Sequence, residues 1–245
     1  MSDGIGKQFM LETTYKYLSP SLQRQGVPQP PLQLPYDPSA SVVALPVING
    51  LPEPEMLLST AIKERRTLRR YQDTALTLAE LACLLWATQA VTSKSSPKHT
   101  LRTVPSAGAR HAFETYLLIN RVETLTPGMY RYLAIEHALL PLDDDPGINQ
   151  RVTAACGDQS QIHESAVTFL WVAIKERMYW RYGERGYRYL HLDAGHVCQN
   201  LYLGAQGIAC GVCAIAAFDD EALNSVLKLD GENRFVVYLA SLGKK

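Results

Sequence analysis

Ala166-Val167-Thr168-Phe169-Leu170-Trp171-Val172-Ala173-Ile174 is apolar on both faces, with Thr168 its single polar residue. Successive side chains of a strand point to opposite faces, so apolar residues at odd and even positions predict a central strand covered on both sides. The stretch is about half of what a bilayer-spanning helix needs. Working outward, Phe113 to Val122 is a β-branched and aromatic run, and Pro127-Gly128 turns the chain into Met129 to Ile135. Val212 to Phe218 and Phe235 to Leu242 complete the predicted strands. Between them lie helical spacings. Met56, Leu57, Leu58, Ala61 and Ile62 follow Glu55, and Thr77 with Glu80 forms a capping box ahead of Leu81, Leu84, Leu85 and Ala87. A short helix fits Ile148 to Ala155, and a long one fits Arg188 to Gln206 with Gly207 to end it. Asp219 caps a last helix carrying Leu223, Val226 and Leu227. A polar loop is expected between the capped helix and Phe113. Strands and helices mix without strict βαβ alternation, so the reading is α+β, with helices covering a sheet.

The 245 residues suit one large domain or two small ones. With 24 basic and 24 acidic residues the net charge is zero, which removes any whole-surface attraction to nucleic acid or anionic lipid. No signal peptide or spanning segment is read, so the expectation is a cytoplasmic protein. Nine of the 14 prolines fall between Pro20 and Pro54. Residues 1–54 therefore read as a proline-rich arm, either laid on a surface or acting as a disordered linker, ahead of a domain at 55–245. Five scattered cysteines are no disulfide framework. Cys210 and Cys213 have C-x-x-C spacing with His196 and Cys198 upstream, but residues two apart on a helix point about 200° apart. The cysteines read as buried small residues beside a tight glycine turn, with no metal.

Three segments could carry chemistry. Arg65-Arg66-Thr67-Leu68-Arg69-Arg70-Tyr71 places four arginines in six positions. Guanidinium groups match phosphate oxygens in bidentate geometry, so one phosphate monoester suits this segment, and a solvated basic helix end is the alternative. Arg102 to His111 contains Pro105-Ser106-Ala107-Gly108, small enough for backbone to approach a flat ligand. No dinucleotide fingerprint, phosphate loop or nucleophile elbow is present there, and His111 reads equally as a surface turn residue. Gly207 to Phe218 passes from helix through a glycine turn into small strand residues, which fits either a planar ligand or plain packing.

Together these segments resemble the nitroreductase superfamily of FMN enzymes, and its SagB-type dehydrogenase branch in particular. The resemblance extends through Leu84-Leu85-Trp86-Ala87, Pro127 to Tyr132, and Leu192-Asp193-Ala194-Gly195-His196 with Gln199-Asn200-Leu201. It implies a central, mostly antiparallel sheet flanked by helices in an interlocked homodimer, with one FMN in each of two interface clefts. Arg65, Arg66, Thr67 and Arg69 would hold the phosphate and ribityl chain, and Lys244 stands where relatives carry another cation. Pro105, Ser106, Ala107 and Gly108 of the other subunit would lie against the isoalloxazine. The backbone of Ala216 or Ala217 would donate toward flavin N5. Gln89 is a candidate for the pyrimidine edge.

One departure bears on activity. Azoline-oxidising SagB-type enzymes resemble one another in a Lys-Tyr pair thought to remove a substrate proton. Here Trp180-Arg181-Tyr182-Gly183-Glu184-Arg185-Gly186-Tyr187-Arg188 keeps the frame with Arg181 at the lysine position. Arginine is a poor general base. Tyr182 could pass a proton, while Arg181 could steer an anionic substrate. Alternatively Arg181, Arg185 and Arg188 form a surface network with Glu184 and Glu176. The resemblance implies ping-pong hydride transfer from NAD(P)H through FMN to a small-molecule or peptide acceptor. An azoline dehydrogenase, or a flavin-binding scaffold without its own catalytic role, are the alternatives.

Overall fold

The computed structural model describes residues 4–47, 56–96 and 99–245. The boundary expected at 54/55 and the Glu55 start of the first core helix lie outside them. The chain order begins with α1 (Ile5–Glu12), β1 (Val43–Ala44), α2 (Leu58–Glu64), α3 (Leu78–Gln89), β2 (Val91–Ser96) and β3 (His99–Arg102). It continues with β4 (Phe113–Ile119), β5 (Gly128–Leu133), β6 (Ala138–Asp143), α4 (Ile148–Ala155), α5 (Ser160–His163) and β7 (Val167–Ile174). The last elements are α6 (Lys175–Tyr182), α7 (Gly186–Gln206), β8 (Cys210–Ile215), α8 (Asp220–Val226) and β9 (Arg234–Lys244).

Seven strands form one sheet in the order β1-β6-β5-β4-β7-β9-β8, with every pairing antiparallel. β7 sits between β4 and β9, and all its residues are buried. Val167, Phe169, Trp171 and Ala173 face one core, which α3 and α7 cover with Leu81, Leu84, Leu85, Val197 and Leu201. Leu170, Val172 and Ile174 face the opposite core, covered by Ile148, Val152, Ile162 and Leu223 from α4, α5 and α8. The double-sided apolar pattern is thus explained by helices on both faces.

The Thr77–Glu80 capping box forms as read: Thr77 Oγ1 accepts from Glu80 N at 3.1 Å, and Glu80 accepts from Thr77 N at 3.0 Å. Asp219 caps α8 by accepting from Ala222 N at 2.8 Å. Two expectations need correction. The polar stretch before Phe113 opens with a two-stranded ribbon of β2 and β3 and is not all loop. β8 starts at Cys210 and stops at Ile215, so Ala216 and Ala217 lie beyond it and are exposed.

Of the two readings of the arm, packing on a surface is the one observed over its described part. The surface is the arm's own domain. Trp180 Nε1 donates to Val27 O at 2.7 Å, and β1 pairs with β6 as the outermost strand on that side of the sheet. The firmest attachment is buried. Leu34 N and Arg177 Nη2 both donate to Glu114 Oε1, at 2.8 and 2.5 Å. Arg177 Nε donates to Pro31 O, and Arg131 Nη2 to Leu34 O and Pro35 O. Backbone carbonyls of a proline-rich segment are free to accept these bonds because the segment makes no helix or ladder of its own.

Candidate functional site

The arginine segment runs alongside the outer strand β8. Thr67 forms a parallel bridge with Val212, and Leu68 N donates to Val212 O at 3.0 Å. Gly211 lets it lie so close, because a Cβ there would come within 2.6 Å of Leu68 Cβ. Arg65 stacks over the Tyr202 ring at 5.1 Å, Thr67 Oγ1 lies 3.1 Å from Tyr202 OH, and Arg69 reaches the Cys213 thiol. Arg66, Thr67 and Arg69 are exposed and Arg65 is half-buried. Among the described residues none of Arg65, Arg66 and Arg69 forms an ion pair. Arg65 is the C-cap of α2, which closes at Glu64, and Arg66 Nη1 donates to Lys63 O and Arg65 O at 3.0 and 2.8 Å. The segment thus begins as a basic helix end and continues along β8 as a cation group without an ion pair among the described residues. Lys244 is placed differently: its ammonium donates to Glu80 Oε1 and to Ile208 O, the latter at 3.0 Å.

The second segment is organised by Asp193, which belongs to the stretch Leu192-Asp193-Ala194-Gly195-His196. Ser106 Oγ donates to Asp193 Oδ2 at 2.6 Å, and Ala107 N donates to the same carboxylate at 3.2 Å. His111 N donates back to Ser106 Oγ at 2.9 Å. A hydroxyl has one proton, so Ser106 is left with a lone pair and no donor for a ligand. Burial raises the Asp193 carboxyl above its ordinary range against the pull of Ser106 and Ala107. Gly108 follows at φ +58°, and a Cβ on it would collide with Tyr182 OH and lie 2.8 Å from Arg181 Nε. Pro105–Gly108, Arg181 and Tyr182 therefore meet within one chain. Tyr182 meets Tyr189 edge-on at 4.8 Å.

The alternative reading, a surface network of Arg181, Arg185 and Arg188 with Glu184 and Glu176, does not form ion pairs among the described residues. Arg185 donates to Tyr189 OH and to Thr13 O, at 2.8 and 2.9 Å, and Arg188 donates to Thr13 Oγ1 at 2.6 Å. Glu184 is taken by Tyr179 OH. Gln89 is buried, its Oε1 accepting from Arg102 Nη1 at 2.8 Å. Cys198 and Cys210 are buried, and desolvation pushes their thiols up to about 12, so both stay protonated at neutral pH.

His111 is buried as well, at 6% exposure, in place of the surface position considered for it. Desolvation first, then the charges of Arg102 and Arg110, lower its imidazole to about 3. The fold thus favours the neutral ring. That stabilisation is complete above the ordinary value of 6.5 and is lost as pH falls through the window towards 3. Within it, this group alone should cost about 1.4 kcal/mol per pH unit. Denaturant unfolding of wild type and His111→Gln at pH 7, 6 and 5 checks this. The wild type should lose stability more steeply, and parallel slopes would rule out the assignment.

The anchors of the two segments stand apart on α7. Ser106 is tied to Asp193 and Thr67 to Tyr202, and both anchors stand on α7. Their separation of nine residues places them about half a turn apart around the helix and about 13 Å along it.

Residues 62–244 match the sequence pattern of the Nitroreductase family. The chain belongs to that family. Nitroreductase family members typically bind FMN. A protein of Methanocaldococcus jannaschii named "Putative nitroreductase MJ1384" is 31% identical over 191 residues, covering 78% of this chain and 92% of its own. The microcin B17-processing protein McbC of Escherichia coli is 26% identical over 142 residues, and the matched part is 56% of this nitroreductase-family chain and 52% of McbC. Among solved structures, a nitroreductase of Anabaena variabilis aligns with a TM-score of 0.65 at 28% identity, over 76% of this chain and 38% of that one. A chain of the E. coli microcin synthetase McbBCD complex aligns with a TM-score of 0.62 at 19% identity, over 98% and 92%. These neighbours carry the nitroreductase fold: an α+β architecture whose central, mostly antiparallel sheet is flanked by helices. No helix among the described residues is long and apolar enough to cross a membrane.

Proposed function

We propose that this chain is an FMN-dependent oxidoreductase that passes hydride equivalents from NAD(P)H to an electron-accepting substrate in two half-reactions. The observation that carries the reading is the un-neutralised group of Arg65, Arg66 and Arg69 around Thr67, seated on β8 by the Thr67–Val212 bridge. Such a group fits a phosphate monoester in charge and in donor geometry. Support also comes from a solved structure of a Desulfovibrio desulfuricans nitroreductase in complex with FMN, which shares the fold at a TM-score of 0.56.

Arg65, Arg66, Thr67 and Arg69 would hold the phosphate and ribityl chain. Lys244 is paired with Glu80 and would reach the phosphate only by leaving that partner. The exposed amides of Ala216 or Ala217 would donate to N5, and Pro105 to Gly108 would shield the ring from water. When bound, FMN supplies the two-electron redox chemistry. Because Pro105–Gly108 and the arginine segment stand on opposite sides of α7, the second segment would come from another copy of the chain. Exposed apolar residues on α2 and α7, Leu58 at 65%, Ile62 at 56% and Leu192 at 59%, support a homodimer burying more than roughly 2,000 Å². The site of action would be the cytoplasm.

A second reading is an azoline dehydrogenase running the flavin oxidatively. The alignment with the McbBCD chain, which extends over the arm, and Tyr182 beside Gly108 favour it. Purified protein should show a flavin spectrum, release FMN on denaturation, and bleach anaerobically with NADH or NADPH. Reduction only by a heterocyclised peptide would favour the second reading. A bound flavin that neither reduces would leave a scaffold, and protein that takes up no FMN would end all three.

A further inference from the structure

Two donors beside Gly108 have no partner among the described residues. Arg181 is half-buried, yet its guanidinium makes no hydrogen bond and no ion pair there; it lies 5.7 Å from the Tyr182 ring. Tyr182, also half-buried, has its hydroxyl against the same glycine and likewise takes no hydrogen bond within the described chain. Gly108 makes this possible. Its missing Cβ lets a cation and a phenol rest side by side on one stretch of backbone at φ +58°.

The surroundings deepen the imbalance. Arg110, at 4% exposure, sits behind the same loop, donating to Gly108 O at 3.1 Å, touching His99 Nδ1 at 3.2 Å and stacking over Trp180 at 5.4 Å. Burial first, and then the Arg181 charge, lowers the pKa of Arg110, so the two guanidiniums act on each other. Neither is matched by a carboxylate among the described residues, since the acidic groups nearby are spent: Asp193 on Ser106 and Ala107, Glu184 on Tyr179, Glu114 on Arg177. Two adjacent cations without an anion repel each other, and a negative ligand removes that cost while filling both idle donors. The rings of Tyr182 and Tyr189 offer an apolar wall beside these donors.

We infer that Arg181 and Tyr182 form a subsite for the carboxylate of an organic acid substrate with an apolar or aromatic body. The inference rests on the redox reading of the neighbouring cleft but concerns recognition alone. Arg181 grips the carboxylate in its planar fork, Tyr182 donates one further bond, and Arg110 supports the site through its field. Arg181 is then a specificity-determining residue.

Calorimetric titration of the protein as purified with benzoate, benzamide and phenyl phosphate tests this without any reductant. Benzoate should bind at least tenfold tighter than benzamide, and tighter than phenyl phosphate. Arg181→Gln should abolish the preference for benzoate, Arg181→Lys should retain part of it, and Tyr182→Phe should weaken benzoate several-fold while leaving benzamide nearly unchanged. Equal binding of benzoate and benzamide to wild type would overturn the subsite, even if Arg181→Gln failed to fold. So would an Arg181→Gln protein that keeps the preference, and phenyl phosphate binding that is tighter than that of benzoate and is lost in Arg181→Gln would overturn the carboxylate assignment. A protein that binds benzoate selectively but takes up no flavin would sink the redox reading and leave the subsite standing. A flavoprotein indifferent to benzoate would do the opposite.

Discussion

Replacing Arg65 and Arg69 together by alanine is expected to weaken FMN binding by about 2–5 kcal/mol, some thirty- to several-thousand-fold. Each guanidinium lost removes a charge-assisted contact to phosphate, and no acidic side chain is left behind unpaired, because neither arginine forms an ion pair among the described residues. Arg65 also gives up its stacking on Tyr202, an effect of about 0.5–1 kcal/mol at a partly exposed site. Riboflavin lacks the phosphate and should bind wild type and the double variant with nearly equal affinity. Titrating both flavins into both apoproteins separates phosphate recognition from general loosening, which would weaken the two ligands together. Unchanged FMN affinity would move the phosphate elsewhere.

Glu114→Gln is expected to cost about 3–5 kcal/mol of stability, measured by denaturant unfolding. Glu114 and Arg177 are 4% and 3% exposed, so removing the carboxylate leaves a buried guanidinium without its counter-charge. The same oxygen accepts Leu34 N from the arm, so residues near Pro31 to Pro35 should become more open to proteolysis in this variant. The double replacement Glu114→Leu/Arg177→Met is the control, since exchanging both charges for apolar groups of similar volume is often neutral or stabilising. A loss below about 1 kcal/mol for Glu114→Gln would mean that water reaches the pair and that the arm does not depend on it.

What could be read from the sequence follows from how local the cause is. The Thr77–Glu80 box, the α4 boundaries and the double-sided β7 depend on residues within a few positions of each other, and each is where its spacing places it. The β2–β3 ribbon escaped notice because Val91-Thr92-Ser93-Lys94-Ser95-Ser96 carries no apolar alternation. Outside the main sheet, a two-stranded ribbon has no core face to demand one. α6 was equally silent, its sequence Lys-Glu-Arg-Met-Tyr-Trp-Arg-Tyr being dominated by charge and large aromatics. At the site, the arginine segment announced itself by composition. Asp193 lies in a stretch that carries the resemblance, but its bond to Ser106, 87 positions away, is visible only in the fold. Gly108, Arg181 and Tyr182 are each candidates by resemblance, but only the fold shows that a missing Cβ lets them meet.

The strand order also has a consequence for the chain as it leaves the ribosome. β7 finds its first neighbour, β4, already synthesised, but its other edge waits for β9, where Val167 pairs with Leu242 and Ile174 with Arg234. Until then its apolar faces lack the cover of α7 and α8, and one row of its amides and carbonyls is open. Such an edge is a template for pairing with another chain. Non-local pairing of this kind folds slowly. Crowded polysomes, where several copies reach that half-made stage side by side, are therefore where this fold is most exposed to aggregation, and faster translation or a bound chaperone between residues 174 and 234 should raise the yield of native protein.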